Sequence, residues 1–420
     1  MYDKYDEIIS YLKALALKTL NDCYFIKDVT YKAISEQAKL LLPSGDEKYL
    51  SFWVRDCAMM AESGLVSNDL LKLYIEIIVG NGQNSEQTQY LENGLCVPPY
   101  AVADHINYNG KPVFFPGTYN DGYNQGDGTF GYYPPFCDNY YFIMLVDQYI
   151  RQSKDESILS LQYNGKTLLN LMELSFKGYN VDAKTELCQS DEYMYTVDWG
   201  FADTVKKSGL LAMSSLLRYR CARILEKYVL DENRKLYAKK AEKIKKSIQD
   251  VLYDKRSGWL YSATGLCHQH DVWATAYAVC LGILQKEKTY HALKNGYETK
   301  ATVKNGYIRT IPCGEDYNEQ TSWQCCGVRK NFYQNGAYWA TATGWYTKAL
   351  YSYDPNIALS ILKDFIEHTE KYKDVGAPFE WINEDTTEYS GLHYGTSGVL
   401  PYLALQLRDE YNILRRGNRN

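Results

Sequence analysis

Two acidic residues with tryptophan neighbours are the first candidates for acid–base chemistry. Asp198 precedes Trp199 in the segment VDWGF, and Glu380 precedes Trp381 in FEWINED. Aromatic neighbours exclude water, and this can raise the pKa of a carboxyl group toward the value that a general acid needs. Two such groups across one cavity are typical of glycoside hydrolysis, in which one protonates the leaving oxygen and the other activates water or attacks the sugar. Each is also compatible with a structural role as a helix cap or as an acceptor for nearby N–H groups.

The segment SFWVRDCAMMAE, residues 51–62, places a charged Arg55–Asp56 pair at the start of an apolar helix. Asp56 can act there as a cap that satisfies free N–H groups and complements the helix dipole. In a sugar-binding pocket, the same pair would offer hydroxyl groups a planar fork of donors and a pair of acceptors. Asp138, at the start of the helix CDNYYFIMLV, has the same two interpretations.

The chain is rich in aromatic residues, with 41 tyrosines and eight tryptophans. Many of the tryptophans stand beside carboxylates at expected helix ends, rather than at the three- and four-residue spacing of a helical core. A flat ring beside an acid suits a sugar, because the ring packs against its C–H face while the acid bonds its hydroxyls. Well-packed loops can have the same composition, so both interpretations stay open. The tryptophans that we consider candidates for a sugar site are Trp53, Trp199, Trp339 and Trp381.

Charge and hydropathy exclude several classes of partner. The net charge is −5, from 46 basic and 51 acidic residues, and the basic residues are scattered along the chain. We therefore expect no nucleic acid partner. No apolar run approaches the roughly 20 residues that cross a bilayer, and the N-terminal segment lacks the features of a signal peptide. The sequence predicts a soluble, cytoplasmic protein without a membrane partner, and the cysteines inside apolar helical patterns fit a reducing compartment.

Motifs for metals and nucleotides are weak. The segment CHQHD, from Cys267 to Asp271, contains zinc-ligand types, but no Cys-x-x-Cys or His-x-x-x-His accompanies it. The adjacent Cys325 and Cys326 are too constrained for a metal pair. The glycine-rich segment 120–133 lacks the Lys-Ser/Thr ending of a phosphate-binding loop and is better interpreted as a lid over a sugar pocket. We expect neither a metal nor another cofactor.

Apolar periodicity and helix breakers predict twelve helices. Short connections alternate with long ones rich in Gly, Tyr, Asn and Pro, and the long ones span about 81–137, 175–203, 298–335 and 372–393. This alternation predicts an all-α protein, an (α/α)6 barrel of six helical hairpins, as one domain over 1–420 with its site at the long-loop end. No period typical of a solenoid recurs. The predicted helices are 5–20, 54–64, 68–80, 138–151, 157–174, 204–227, 233–252, 270–284, 288–297, 336–351, 355–371 and 394–411.

Several of these segments resemble the six-hairpin glycosidase superfamily. WVRDCAMMAE resembles the aromatic-aromatic-Arg-Asp segment of glucoamylase-like and debranching-type enzymes, and QNGAYWATATGW is similar to the superfamily's NGG-tryptophan helix starts. FEWINED with HYGTSGVLPYL resembles the ending of α-L-rhamnosidases, and VDWGF their Gly-Asp-Trp loop. The resemblance implies an (α/α)6 barrel, exo-type binding and an inverting reaction on a carbohydrate. It implies that Arg55 and Asp56 bind the terminal sugar together with His393 and Tyr394, and that Glu380 is the general base.

The families that this chain resembles place the general acid at different positions. Rhamnosidases place a Glu near the Arg-Asp-like segment, where this chain has Cys57. Glucoamylases and trehalases place an acid between the fifth and sixth helices, which favours Asp198. Glu192 and Asp203 compete with Asp198 as the acid, and Glu388 competes with Glu380 as the base.

Other functions on the same barrel stay open. A phosphorylase would need a cationic patch, for which Arg309, Arg329 and Lys330 are candidates. A polysaccharide lyase would use Tyr or His to remove a proton beside a uronate. A barrel that binds sugars without catalysis is the non-enzymatic alternative.

Overall fold

The computed structural model describes residues 2–31, 34–46, 48–91, 94–115, 131–178, 180–191, 196, 198, 204–318, 329–385 and 387–406. Helices dominate these ranges, and strands form small two- to five-stranded sheets. The helices are α1 Tyr2–Asp22, α2 Val54–Ala61, α3 Asn68–Ile77, α4 Cys137–Ser153, α5 Leu168–Lys177, α6 Ala212–Tyr228, α7 Asp231–Ser247, α8 Val272–Cys280, α9 Glu287–Glu298, α10 Thr343–Tyr351, α11 Pro355–Lys371, α12 Gly395–Val399 and α13 Leu403–Gln406.

The even-numbered helices from α2 to α12 form an inner ring, in which each packs against the next, and a short turn before α10 completes the contact with α12. The odd-numbered helices from α1 to α11 pack outside them, so the described helices form the predicted (α/α)6 barrel. Burial follows this arrangement. Every residue of α2 is buried, whereas the outer helix α7 buries only Tyr237, Ala241 and Ile244. That spacing forms the single apolar stripe expected of a helix with one face in water.

All six inner helices begin at the same end of the barrel, because each follows an outer helix that runs the opposite way. The connections that enter inner helices are long, such as 78–136 and 372–394, and those that leave them are mostly short, such as 229–230 and 352–354. The predicted asymmetry of the loops is therefore present. The long loops and the N-terminal ends of the inner helices share one face, which we call the loop face.

Most strands pair with a neighbour in the chain to form hairpins within these loops. The longest pair is β1–β2, which the sequence analysis did not predict, and β14 to β18 form a five-stranded antiparallel sheet in chain order. The strands are β1 Tyr24–Tyr31, β2 Ile34–Leu41, β3 Phe52–Trp53, β4 Gln89–Tyr90, β5 Cys96–Val97, β6 His105–Ile106, β7 Pro112–Val113, β8 Gln162–Tyr163, β9 Lys166–Thr167, β10 Gln189–Ser190, β11 Gly209–Leu210, β12 Leu260–Tyr261, β13 His270–Asp271, β14 Val303–Lys304, β15 Tyr307–Arg309, β16 Tyr338–Trp339, β17 Trp381–Ile382 and β18 Tyr389–Ser390.

Several helix starts differ from the prediction. The helix expected over 157–174 begins at Leu168, because Asn164 and Gly165, with φ of 50° and 77°, form the tight turn of the β8–β9 hairpin. The helices expected from 204 and 336 begin at Ala212 and Thr343, since strand pairing takes up the preceding residues. Among the described helices, none combines the length and apolar character needed to span a membrane.

Candidate functional site

The loop face collects carboxyl groups at the starts of inner helices. Asp56 lies in the first turn of α2 and Asp138 in the first turn of α4, while Asp271 caps α8. Glu380 lies on the loop that leads into α12. A helix N-terminus carries a partial positive charge and free N–H groups, so it stabilises nearby negative charge. The fold therefore brings these carboxyl groups to the end of the barrel at which the helix dipoles favour negative charge.

Glu380 is bound by two side chains from the segment before α2. Lys48 donates to Oε2 at 2.7 Å and Tyr49 donates to Oε1 at 2.7 Å. Lys48 also donates to Ser390, on the strand that pairs with the strand following Glu380. Gly391 has a φ of +64°, and a Cβ there would lie 2.5 Å from the Cβ of Glu380. The glycine therefore leaves room for the buried carboxylate, which forms an ion pair with Lys48.

Arg55, Asp56 and Tyr394 connect α2 to α12. Nε of Arg55 lies 3.5 Å from one oxygen of Asp56, and the hydroxyl of Tyr394 donates to the other at 3.2 Å. Burial raises the pKa of Asp56, Arg55 opposes the shift, and Asp104 adds to it. Trp53 occupies the N-cap position of α2 without a side-chain capping bond. Asp56 thus accepts its hydrogen bond from another loop of the face rather than acting as the cap.

Asp104 and His105 belong to the same group of polar side chains, although no motif in the sequence singles them out. The Asp104 carboxylate lies 2.8 Å from Nδ1 of His105, and the His105 ring stacks on Trp53 with centroids 4.4 Å apart. Strand β6 positions the pair by pairing with β3, directly before α2. The adjacent Asp-His in a long loop was the available signal. Strand pairing brings this Asp-His segment to Trp53, and the sequence of a short segment does not reveal such pairing.

The aromatic candidates occupy two layers. Tyr49 contacts Trp53 and Tyr394 edge-on, at 5.7 and 6.1 Å between centroids, so these rings form one cluster, which Tyr49 connects to Glu380. Trp339 is instead buried in the core against Trp273 and donates to the carbonyl of Tyr333. Trp381 packs against Phe332. These two tryptophans are thus buried and pack against other aromatic residues.

Asp198 lies in a separate, fully buried ion pair. Lys207 donates to one oxygen at 3.0 Å and Ser214, in the first turn of α6, donates to the other at 2.5 Å. Burial lowers the pKa of Lys207, but the charge of Asp198 outweighs it, and the pKa lies above its usual value. Burial raises the pKa of the neighbouring Asp271 to about 6, against the charge of Lys207. Asp198 is therefore held by its own cation, which is a structural arrangement; its role as the acid stays a prediction.

The remaining predicted residues lie outside this group or outside the described ranges. Nδ1 of His393 is 3.3 Å from Asp22 at the end of α1. Glu388 is exposed and paired with Arg329. Trp199, the competing acids Glu192 and Asp203, the Cys325–Cys326 pair and most of the glycine-rich segment fall outside the described residues.

The Cys267–Asp271 segment has structural contacts. The rings of His268 and His270 both stack on Tyr261, and Asp271 accepts from the N–H of Ala274 as the cap of α8. Across the described ranges, no group of three or more His, Cys, Asp or Glu side chains is arranged to hold a metal ion.

Comparison with known proteins shows the fold. No family model matches the chain, and no curated protein matches it by sequence. Among solved structures, it is similar to a rhamnosidase from Klebsiella oxytoca with rhamnose bound (12% identity, TM-score 0.58, covering 96% of this chain and 64% of that one). It is also similar to a GH78 family rhamnosidase of Bacillus sp. GL1, with 10% identity and a TM-score of 0.58 over 95% of this chain and 35% of that one. A third similar structure is cellobiose 2-epimerase from Bacillus thermoamylovorans B4167, with 10% identity and a TM-score of 0.58 over 96% of this chain and 99% of that one. The chain thus spans less than two thirds of either rhamnosidase and nearly all of the epimerase. The expected resemblance to six-hairpin glycosidases is confirmed in the fold, and this barrel is shared by hydrolases and epimerases of sugars.

Proposed function

We propose that the protein is a glycoside hydrolase that removes a terminal sugar with inversion of configuration, with Glu380 as the general base. The observation that carries the proposal is the joint position of an ion-paired carboxylate, Glu380, and a carboxyl group raised in pKa, Asp56, connected by Tyr49 and Tyr394. Neighbouring buried carboxyl groups that differ in their environments are typical of sites that perform acid–base chemistry. Trp53 and Tyr49 add the flat apolar surface against which a sugar packs.

The electrostatics favour a neutral substrate. The carboxyl groups of Asp56 and Asp138 both interact electrostatically with one guanidinium, that of Arg55, and Asp104 adds a further carboxyl group near them. A uronate would bring a further negative charge into this group, so the site argues against a lyase. The candidate phosphate-binding cations are engaged with carboxylates: Arg309 and Lys330 with Asp316, and Arg329 with Glu388. Hydrolysis of a neutral glycoside fits this charge distribution better than phosphorolysis.

The test is a panel of aryl glycosides of neutral sugars, assayed with and without phosphate. Release of the aryl group without phosphate supports hydrolysis, and NMR of the first product reports its anomeric configuration. A first product that keeps the configuration of the substrate would contradict the inverting mechanism, as would strict dependence on phosphate. Inversion requires space for water, so the acid and base carboxyl groups are expected to be about 6.5–9.5 Å apart.

A second candidate is sugar epimerisation. It is favoured by His105, a buried imidazole oriented by Asp104 and stacked on Trp53, because a positioned histidine can remove a proton beside a carbonyl. The structural similarity to a cellobiose 2-epimerase covers almost the whole of both chains. Incubation of free reducing sugars in heavy water distinguishes the candidates, since only an epimerase exchanges a carbon-bound hydrogen for deuterium.

A further inference from the structure

Asp138 differs from the other buried carboxyl groups of the loop face in its hydrogen bonding. It is completely buried, and among the described residues its Oδ1 has no hydrogen-bond partner. Its Oδ2 accepts a long hydrogen bond from the thiol of Cys137, at 4.0 Å. A buried polar atom without a partner is unfavourable, and in a native protein such an atom needs an explanation.

The position of Asp138 relative to Glu380 suggests that explanation. In the inner ring, α2 lies between α12 and α4. Asp56 of α2 is accordingly within electrostatic reach of both Glu380 and Asp138. A sugar bound by Arg55 and Asp56 would therefore lie between a carboxylate on the α12 side and a carboxyl group on the α4 side. An inverting hydrolase needs this arrangement.

We propose that Asp138, rather than Asp198, donates the proton to the glycosidic oxygen. This inference rests on the proposed hydrolase function. The proton leaves the Asp138 carboxyl group as the bond from the anomeric carbon to that oxygen breaks. Water attacks the anomeric carbon from the opposite side and loses a proton to Glu380. The products are the free sugar and the alcohol, and solvent restores both protonation states.

The charged surroundings of Asp138 agree with this role. Burial raises its pKa well above the usual value, Asp104 and Asp56 add to the shift, and Arg55 opposes it. The Cys137 thiol beside it also has a raised pKa because of burial. The direction of this shift favours the protonated form that a donor needs, whereas Asp198 forms a buried ion pair with Lys207.

Leaving-group dependence tests the assignment. Loss of a general acid typically costs about 10²–10⁴ in rate. We expect Asp138→Asn to lose this much on an alkyl glycoside, to be partly rescued on an aryl glycoside with a good leaving group, and to lose the alkaline limb of the kcat/KM profile. Asp198→Asn should affect both substrates alike, mainly through stability. Asp147→Asn, farther along α4 and bonded to Tyr228, is the matched control and should retain wild-type turnover.

The contrary result is equally specific. Asp138→Asn could instead lose activity equally on both substrates and keep the alkaline limb of the kcat/KM profile, while Asp198→Asn is rescued on the aryl glycoside. In that case Asp198 is the donor and the proposal is overturned. Infrared difference spectra of wild type minus Asp138→Asn provide a test that does not depend on turnover. A protonated-carboxyl band at neutral pH is expected, and its absence would overturn the proposal. If the wild type has that band but hydrolyses no glycoside, the hydrolase function fails while the protonation state stands.

Discussion

Two buried groups of charges on the loop face are balanced in opposite ways. Around Arg55, the carboxyl groups of Asp56 and Asp138 share one guanidinium, and an oxygen of Asp138 has no hydrogen-bond partner among the described residues; Asp104 beside them is bonded to His105. Around Lys207, the Asp198 carboxylate has a direct cation and a hydroxyl donor. Both groups are equally inaccessible, so burial does not separate them. What differs is whether the protein itself completes their bonding.

This difference separates a structural role from a functional one. A buried ion pair with complete hydrogen bonds offsets its desolvation cost within the protein and needs no ligand. A group with surplus acceptors keeps an electrostatic cost that a ligand with hydroxyl groups relieves on binding. The Arg55 group therefore has the properties of a binding site, and the Lys207 group those of a structural wall. Targeted substitutions can break or sharpen this comparison.

The largest expected effect is on catalysis at Glu380. Glu380→Gln keeps the shape of the side chain but removes the base, so turnover should fall by about 10²–10⁴. The control is Glu388→Gln on the same loop, which removes an exposed ion pair with Arg329 and should leave turnover near wild type. Steady-state kinetics on a reactive aryl glycoside measure both variants. Wild-type turnover in Glu380→Gln with loss in Glu388→Gln would transfer the role of the base to Glu388.

The next largest effect is on stability at the Lys207 group. Lys207→Met leaves the Asp198 carboxylate buried without its cation, and breaking such a pair costs about 3–5 kcal/mol in the free energy of unfolding. Adding Asp198→Leu to this variant should recover much of the loss, because no buried charge remains. Lys246→Met, which breaks an exposed pair with Asp250, should cost only about 0–1 kcal/mol. Denaturant unfolding compares them. Equal losses in Lys207→Met and Lys246→Met would remove the structural interpretation of the Lys207 group.

A smaller effect is expected at the link between α2 and α12. Tyr394→Phe removes the hydroxyl that orients Asp56, and a hydrogen bond of this kind contributes about 0.5–1.5 kcal/mol. If Asp56 binds the sugar, KM should rise more than kcat falls. Tyr346→Phe also removes a buried hydroxyl, which bonds Thr302 outside the site, so it should cost stability without changing KM. An unchanged KM in Tyr394→Phe would separate Asp56 from substrate binding.

The sequence predicted the architecture better than the bonding. Hydrophobic periodicity and loop length were sufficient for the barrel, because both follow from which helix faces are buried. The same reasoning placed Glu380 and Arg55–Asp56 at the loop face. It gave the wrong starts for three helices, since the Asn164–Gly165 hairpin and the pairing of β11 and β16 depend on turn geometry and distant partners.

The partners of the acids were beyond the sequence. The aromatic neighbour of Asp198 suggested a desolvated acid, but the decisive neighbour is Lys207, nine positions later and brought back by the chain. Lys48 and Tyr49 reach Glu380 from more than 300 positions away in sequence. Such contacts depend on tertiary packing, so a local sequence pattern does not predict them.

The smallest expected effect is a pH dependence of stability at the base of α8. His270 lies 2.7 Å from Glu315 through Nδ1 and 3.4 Å from Asp254 through Nε2. Burial lowers the pKa of His270, but the hydrogen bonds and charges of Glu315 and Asp254 outweigh it, so the pKa lies above 6.5. A raised pKa means that the folded state binds the proton more tightly than the unfolded state. The stabilisation by protonated His270 is therefore fully present below pH 6.5, the pKa in the unfolded chain, and is lost as the pH rises through the higher pKa of the folded state.

Comparison of the wild type with His270→Gln across that interval isolates the effect. The difference between their free energies of unfolding should be largest in mild acid and should shrink as the pH rises, because only the protonated imidazole binds both carboxylates. His291→Gln, at an exposed site beside Glu287, is the matched control. Its difference from the wild type should be small and nearly constant over the same range. A His270→Gln difference that stays constant with pH would show that the imidazole acts through packing on Tyr261 rather than through its charge, and a difference that grows with pH would reverse the assigned shift.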